Sequence, residues 1–357
     1  MGPEHWLENW KVEAPPRPYL PIADVVCTAV STHKRPLEAS PCKTIIIALC
    51  AALKLSSLLG VYSLTKESEH QSVLLVGGSG RLGKMFISHI ETATVAPKIT
   101  LQTRRSPLSL KFNSLHWDPL DGSESLLQWQ QENGAFDSVI ALAGVTPTSS
   151  QDLSMNIEIA NSIVEAVKQA RIPKILLASS SAVYGVGENL LENAALSPIN
   201  AYGKAKRDME TKATKLAAGY TNLCLLRIGN VAGADALLQN TLSATSHEPI
   251  EIDQFADGRG PIRSYIGPAT LTNALLTLAS RKDTLPNVLN IGVTPPVDMI
   301  DLAHAARAPI SMRSAQPNAI QNITLNCTKF ETLVMLPKNA GDPNEMVTQW
   351  QNLRKNS

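Results

Sequence analysis

Tyr202 and Lys206 lie four residues apart, and Ser180 stands upstream of them in Ser180-Ser181-Ala182-Val183-Tyr184-Gly185. On a helix, residues at that spacing share one face. An ammonium beside a phenol stabilises the phenolate and lowers the tyrosine pKa from its ordinary value of about 10. A tyrosine tuned in this way exchanges protons with a substrate hydroxyl near neutral pH. Ser180, at the C-terminal end of a strand, would hydrogen-bond the same oxygen. Taken alone, a Tyr-x-x-x-Lys pair also describes an ordinary amphipathic helix. What turns it toward chemistry is a second motif upstream, Gly77-Gly78-Ser79-Gly80-Arg81-Leu82-Gly83.

The elements around these motifs are predicted from their periodicity. Val73-Leu74-Leu75-Val76 is wholly apolar, as in a parallel strand covered on both faces. The glycine turn follows at once, and residues 82–90 have helical apolar spacing. Strand, glycine turn and helix in that order are the context a dinucleotide-binding turn requires. Gly77 allows the tight turn, Gly80 lets the backbone approach a pyrophosphate, and Gly83 permits close helix–strand packing. The N–H groups of Arg81 and Leu82 at the helix start would face that pyrophosphate. Further strands are expected at 99–102, 139–142, 175–178 and 223–226, with helices at 157–169 and 205–217. This alternation predicts an α/β fold, a Rossmann-type doubly wound parallel sheet. Ligands bind such sheets at the C-terminal ends of the strands, where Ser180 lies.

The end of the second strand selects the dinucleotide, because a carboxylate there suits the ribose hydroxyls of NAD and an arginine the 2′-phosphate of NADP. Gln102-Thr103 is followed by Arg104-Arg105 with no carboxylate, so the cofactor is NAD(P), leaning to NADP. The alternative is a pair of arginines merely exposed at a strand end. Asp118 either accepts a hydrogen bond from the adenine amino group or starts a turn before Pro119.

The chain has 357 residues, enough for one large or two smaller domains. Its 32 Lys+Arg against 31 Asp+Glu exclude the strong positive field of a nucleic-acid binder. Its five cysteines are scattered without a Cys-x-x-Cys pair, as expected of reduced thiols in the cytoplasm. The seven histidines show no metal-ligand spacing, so no metal is expected.

Residues 1–71 read as an N-terminal extension. Its first part, rich in proline, has no sustained periodicity and is expected to be an extended arm. Residues 44–64 are apolar apart from Lys54 and a few small polar residues, near the length of about 20 that spans a bilayer. Lys34, Arg35 and Lys43 precede the run, so a single crossing would carry the downstream domain away from the cytoplasm. Lys54 would add about 2.5–3.5 kcal/mol to insertion. A non-spanning helix is therefore preferred, giving a cytoplasmic protein with membrane-surface contact through 44–64 at the inner face as the alternative to packing on the protein.

From Ser72 to Trp350 the chain resembles the extended short-chain dehydrogenase/reductase family, in its nucleotide-sugar epimerase/dehydratase branch. Besides the motifs above, the resemblance rests on Leu142-Ala143-Gly144 after the fourth strand and Asn156 in the next helix. It continues with Arg227-Ile228-Gly229-Asn230-Val231-Ala232-Gly233, Asp257-Gly258, Arg263-Ser264-Tyr265-Ile266 and Asn290-Ile291-Gly292. It implies a Rossmann domain at 72–235 and a small C-terminal substrate-binding domain at 236–357, some segments of which return to the Rossmann sheet. It also implies that Ser180, Tyr202 and Lys206 carry catalysis, that Leu142, Ala143 and Gly144 line the cofactor with Tyr202 and Lys206, and that Asn230 and Arg263 hold a nucleotide diphosphate. A homodimer through a helix bundle is a further implication.

Departures from the family pattern narrow the expectation. Sugar dehydratases of this branch place Asp-Glu after the residue matching Ser180, for the extra proton transfers of water elimination. Here those positions are Ser181-Ala182, which cannot do that work. Ile228 and Ala232 replace a proline and a tyrosine, and Gly267-Pro268-Ala269-Thr270 lacks the usual His-Val-x-Asp character, so the substrate pocket is expected to be atypical. Three activities follow. The first is an NAD(P)-dependent epimerase or reductase of a nucleotide-linked sugar, of the kind that supplies polysaccharide biosynthesis. The second is a dehydrogenase/reductase of a non-sugar alcohol or ketone, and the third a non-catalytic cofactor-binding sensor or scaffold.

Overall fold

The computed structural model describes residues 71–93, 98–149 and 151–355. The apolar run at 44–64 and nearly all of the 1–71 extension lie outside the described residues. Seven strands form one parallel sheet: β1 (Ser72–Val76), β2 (Lys98–Thr103), β3 (Asn113–His116), β4 (Ser138–Ala141), β5 (Lys174–Ser180), β6 (Asn222–Ile228) and β7 (Val288–Ile291). Their spatial order is β7-β6-β5-β4-β1-β2-β3. The order reverses between β1 and β4, which opens a crevice there at the C-terminal ends of the strands. This is the doubly wound sheet that the alternating pattern predicts.

Six longer helices cover it: α1 (Arg81–Thr92), α2 (Glu124–Asn133), α3 (Met155–Gln169), α4 (Ala201–Ala217), α5 (Pro268–Ser280) and α6 (Pro343–Lys355). Strand β1 shows why the sheet must be covered on both faces. Its four apolar side chains are fully buried, and they alternate between two cores. Val73 and Leu75 pack with Phe86, Ile87 and Ile90 of α1 and Leu271 and Leu275 of α5. Leu74 and Val76 pack with Ile163, Val164 and Val167 of α3 and Met209 of α4. Each such side chain contributes about 1.5–3 kcal/mol on burial, so a polar residue at any of the four would break the layer it enters.

Helix α4 begins at Ala201, ahead of the apolar periodicity that predicts it only from 205. The reason is a cap: the Asn200 side chain accepts from the Gly203 N–H at 2.8 Å. The cap pulls Tyr202 into the first helical turn. Strand β3, with the mixed sequence Asn-Ser-Leu-His, has no apolar run to announce it and forms by pairing with β2.

The remaining strands are short. One small sheet has the order 297–298, 262–263, 322–325, 187–190, and two further pairs join 230–231 to 265–266 and 250–254 to 310–314. Among the described residues no helix is long and apolar enough to cross a membrane, and no cluster of His, Cys, Asp and Glu is suited to a metal ion.

Candidate active site

The glycine turn leaves β1 and enters α1 beside the reversal point. Gly77 has φ +89°, and a Cβ there would fall 2.4 Å from the Ala143 backbone nitrogen. Only glycine lets the turn and the Leu142-Ala143-Gly144 segment after β4 approach so closely. The Leu142 N–H donates to the Val76 carbonyl at 2.8 Å and the Gly77 N–H to Gln102 Oε1 at 3.1 Å. Gly80 precedes the first residue of α1 with no side-chain cap, and the first turn carries no acidic residue. The opening N–H groups, those of Arg81, Leu82 and Gly83, are left for an outside acceptor. A Cβ on Gly80 would meet nothing nearer than the Gly77 carbonyl oxygen at 3.4 Å. The protein's own packing therefore does not demand glycine there, whereas the close approach of a ligand to the backbone would. A dinucleotide pyrophosphate fits this cradle.

The other expected cofactor contacts are placed as follows. Arg81 turns away from the helix start and donates from Nη1 to the Ala234 carbonyl at 2.8 Å. Leu82 and Leu142 pack against the core, half-buried. Arg104, at the end of β2, pairs with Asp118 at 3.5 Å. Asp118 also accepts from the Leu120 N–H, so it does start the turn at Pro119–Asp121.

Ser180 ends β5, and the chain then makes one tight turn over Ser181–Val183. The Ser180 Oγ accepts from the Ala182 N–H at 3.2 Å, and the hydroxyl keeps a proton of its own to donate. That turn lies directly on the first turn of α4, where a Cβ on Gly203 would meet the Ala182 carbonyl oxygen at 2.3 Å. The glycine after Tyr202 thus lets the first turn of α4, which carries Tyr202, close on the turn that follows Ser180. Lys206 is buried one turn further along, and its Nζ donates to the Ala178 carbonyl at 3.1 Å. A Cβ placed on Gly144 would lie 3.1 Å from that Nζ and 2.8 Å from Asn156 Oδ1, so the lysine borders the segment after β4. Asn156 fixes that segment by accepting from the Val145 N–H and donating to the Val145 carbonyl.

The electrostatics correct one expectation. Burial raises the Tyr202 pKa, with the Ser180 hydrogen bond only partly offsetting it. In the protein without ligand, burial therefore outweighs the help that the nearby ammonium was expected to give. Burial lowers Lys206 itself to about 8, against an opposing pull from Glu210.

Of the two residues expected to hold a diphosphate, Arg263 is bonded within the protein. The Arg263 guanidinium donates to the backbone carbonyls of Ile262, Gln321 and Ile320 at 2.8, 2.6 and 3.1 Å. Three of its five N–H donors are thereby used within the protein. Asn230 stands opposite Tyr265 in the short 230–231/265–266 strand pair, and the Tyr265 hydroxyl donates to Asp235 at 3.2 Å.

Sequence reasoning overlooked Glu210, which lies one turn beyond Lys206 on the buried stripe of α4. It pairs with Arg227 at 2.8 Å, with both side chains inside the core. The available signal was an acidic residue at the i+4 position from Lys206, on a face otherwise lined by small and apolar residues.

The model of the NAD dependent epimerase/dehydratase family matches residues 73–292. The UDP-glucose 4-epimerase of Azospirillum brasilense is 32% identical over 177 residues, covering 46% of this chain and 50% of that protein. The chain thus spans half the length of that relative. Among solved structures, MoeE5 in complex with UDP-glucuronic acid and NAD superposes with a TM-score of 0.63 at 23% identity, over 80% of this chain and 100% of that one. The NAD dependent NDP-hexosamine 5,6-dehydratase TunA superposes with a TM-score of 0.62 at 17% identity, over 80% of this chain and 98% of that one. At these identities the likeness to solved structures establishes the fold, and that fold is common to a dehydratase and to proteins with other substrates.

Proposed function

Because this chain belongs to the NAD dependent epimerase/dehydratase family, we propose that it is an NAD(P)-dependent epimerase or reductase acting at one hydroxyl or ketone carbon of a nucleotide-linked sugar. The observation that carries this reading is the packing of the Tyr202 helix turn on the turn after Ser180, with Lys206 buried one helical turn further on at the strand ends. A bound nicotinamide dinucleotide would supply the hydride acceptor and donor. Tyr202 takes the proton of the substrate hydroxyl as that carbon is oxidised, and returns it when the ketone is reduced. Ser180 donates a hydrogen bond to the same oxygen. In epimerisation the ketone turns over between the two steps and is reduced on the other face of its carbon, with Tyr202 returning the proton to the oxygen. Lys206 holds positive charge next to the phenolate that forms when Tyr202 gives up its proton.

Dehydration is disfavoured by the two residues after Ser180. Ser181 and Ala182 offer no carboxyl group for the additional proton transfers, and the Ala182 N–H is bound to Ser180. A specific observation favours a second reading, a dehydrogenase/reductase of a non-sugar alcohol or ketone. Arg263, the candidate for the diphosphate, is bonded to three backbone carbonyls. The end of β2 lacks a carboxylate, which supports NADP, whereas the relatives' family and the solved neighbours are NAD dependent. A homodimer and surface attachment through 44–64 remain part of this proposal.

Two measurements test it. Native mass spectrometry of the purified full chain should report a retained dinucleotide and, under the first reading, a nucleotide sugar. Retention of a different alcohol or ketone would move the assignment to the second reading. With UDP-glucose and NAD+ or NADP+ as probes, Tyr202→Phe should lower turnover about 10²–10⁴-fold while leaving dinucleotide binding intact. Unchanged turnover would sink the mechanism.

A further inference from the structure

Behind the Tyr202–Lys206 pair lies a chain of buried polar groups that no step above uses. Glu210 Oε1 accepts from Ser179 Oγ at 2.5 Å, and its carboxylate accepts from Arg227 Nε and Nη2 at 3.1 and 2.8 Å. Ser179 immediately precedes Ser180 on β5 and stands opposite Arg227 of β6 in register. Arg227 Nη1 donates onward to the Tyr184 hydroxyl and to the Glu192 carbonyl, both at 2.8 Å. The Tyr184 hydroxyl donates to Asn290 Oδ1 of β7 at 2.7 Å. Glu210, Arg227, Tyr184 and Asn290 are each no more than 5% exposed. One carboxylate on α4 is therefore tied to the ends of three neighbouring strands.

Such a network is a costly way to fill a core. Apolar residues of the same volume usually do as well or better for stability, because two charges must leave water. Its value lies in direction: a bidentate pair fixes orientation in a way that apolar contact does not. Tyr202, Lys206 and Glu210 are spaced by four on one helix, so they form a single stripe. Whatever fixes Glu210 fixes the rotation at which α4 presents the other two.

We propose that Glu210 is the positioning residue of this site: held by Ser179 and Arg227, its carboxylate sets α4 against the ends of β5 and β6 and keeps a negative charge one turn from Lys206. This rests on the assignment of Tyr202 and Lys206 as the proton-handling pair. The groups that face Lys206 are few. On its own helix they are Tyr202, Met209 and Glu210; from β5 the Ala178 carbonyl; and from the segment after β4 and from α3, Gly144 and Asn156. Glu210 is the charged one among them, and Arg227 of β6 lies on the far side of it. The negative charge opposes the loss of the lysine's proton that burial promotes.

The direct test needs no substrate. In the full chain labelled with 13C-lysine, the Lys206 signal, assigned by Lys206→Arg, should titrate near 8. In Glu210→Gln, which keeps the volume and loses the charge, the midpoint should fall by about one unit or more. In Glu210→Asp it should stay near the native value. Turnover of UDP-glucose with NAD+ should nevertheless remain reduced there, because the shorter side chain no longer holds α4 in place. Should Glu210→Gln fail to fold with Arg227 left unpaired, Glu210→Gln combined with Arg227→Gln removes the pair together and should lower the midpoint in the same direction. An unchanged midpoint in whichever of these two variants folds, or a fully active Glu210→Asp, would overturn the inference. If instead Tyr202→Phe keeps its turnover while the midpoint moves, the proposed reaction fails and the placement of charge by Glu210 stands.

Discussion

Two regions of the molecule are built differently. In the seven-stranded sheet, strands with wholly buried apolar residues carry short local motifs, and two backbones meet where Gly77 faces Ala143. In the region after residue 236, several strands pair only in twos or in a small sheet, and the charged groups answer one another. Arg263 is bonded to three carbonyls, and Arg313 pairs with Glu251 and Asp253. Under the proposed function, the difference teaches where specificity would be stored. A pyrophosphate can be met by glycine backbone and a helix start, which tolerate almost no variation. A substrate would be met by side chains on irregular segments, which are re-formed by exchanging partners.

This contrast can be broken or sharpened by substitution. The largest effect is expected at the turn. Gly77→Ala puts a methyl group against the Ala143 backbone at a positive φ, and should cost on the order of 3 kcal/mol or more in urea unfolding. It should also abolish dinucleotide binding by titration; a stable, cofactor-binding Gly77→Ala would show that the close approach is not needed.

Next comes the buried lysine. Lys206 releases its proton near pH 8 in the folded protein but near 10.5 when unfolded. Between those values the unfolded chain binds more protons, so native stability should rise with pH by on the order of 3 kcal/mol. Lys206→Met should lack that rise and be the more stable protein at pH 7, as judged by parallel urea titrations across the range. A parallel pH dependence in both proteins would mean that the ammonium is not desolvated.

In the region after residue 236 the effects should shrink. Arg263→Ala unpairs three backbone carbonyls and should cost about 1–3 kcal/mol. If it leaves binding of UDP, measured by calorimetry, unchanged within about twofold, Arg263 is a structural clamp. A loss of roughly tenfold or more, corresponding to about 1.4 kcal/mol, would return it to the diphosphate. Arg313→Ala breaks an exposed pair and should leave the thermal midpoint where it was. A clear drop would show that the 250–254 and 310–314 strands depend on it.

How much of the site could be read in advance follows the same division. Ser180, Tyr202 and Lys206 stand close in the sequence and belong to one strand end and one helix, so their spacing, with the glycine turn and the family resemblance, grouped them in advance. Glu210 sits on the same helix, but its meaning depends on Arg227 and Ser179, which come from two strands. No periodicity links an acidic residue on α4 to an arginine on β6. The sense of the Tyr202 shift was missed for a related reason. Proximity along a helix says nothing about which carbonyl an ammonium will choose or how dry the phenol will be. Strand β3 was missed because its four residues have no apolar run and owe their structure to pairing with β2.

By itself, the sequence determined the parallel sheet, the glycine turn and the serine, tyrosine and lysine at its edge. Each of these rests on interactions within a few residues or on a period that repeats along the chain. Tertiary structure alone decided that Gly203 seats Tyr202 against the Ser180 turn, that Lys206 faces Ala178, and that Glu210 is clasped by Ser179 and Arg227. It also turned Arg263 toward backbone carbonyls. Hydrogen bonds and desolvation depend on which surfaces meet, and distant segments meet only when the chain has folded.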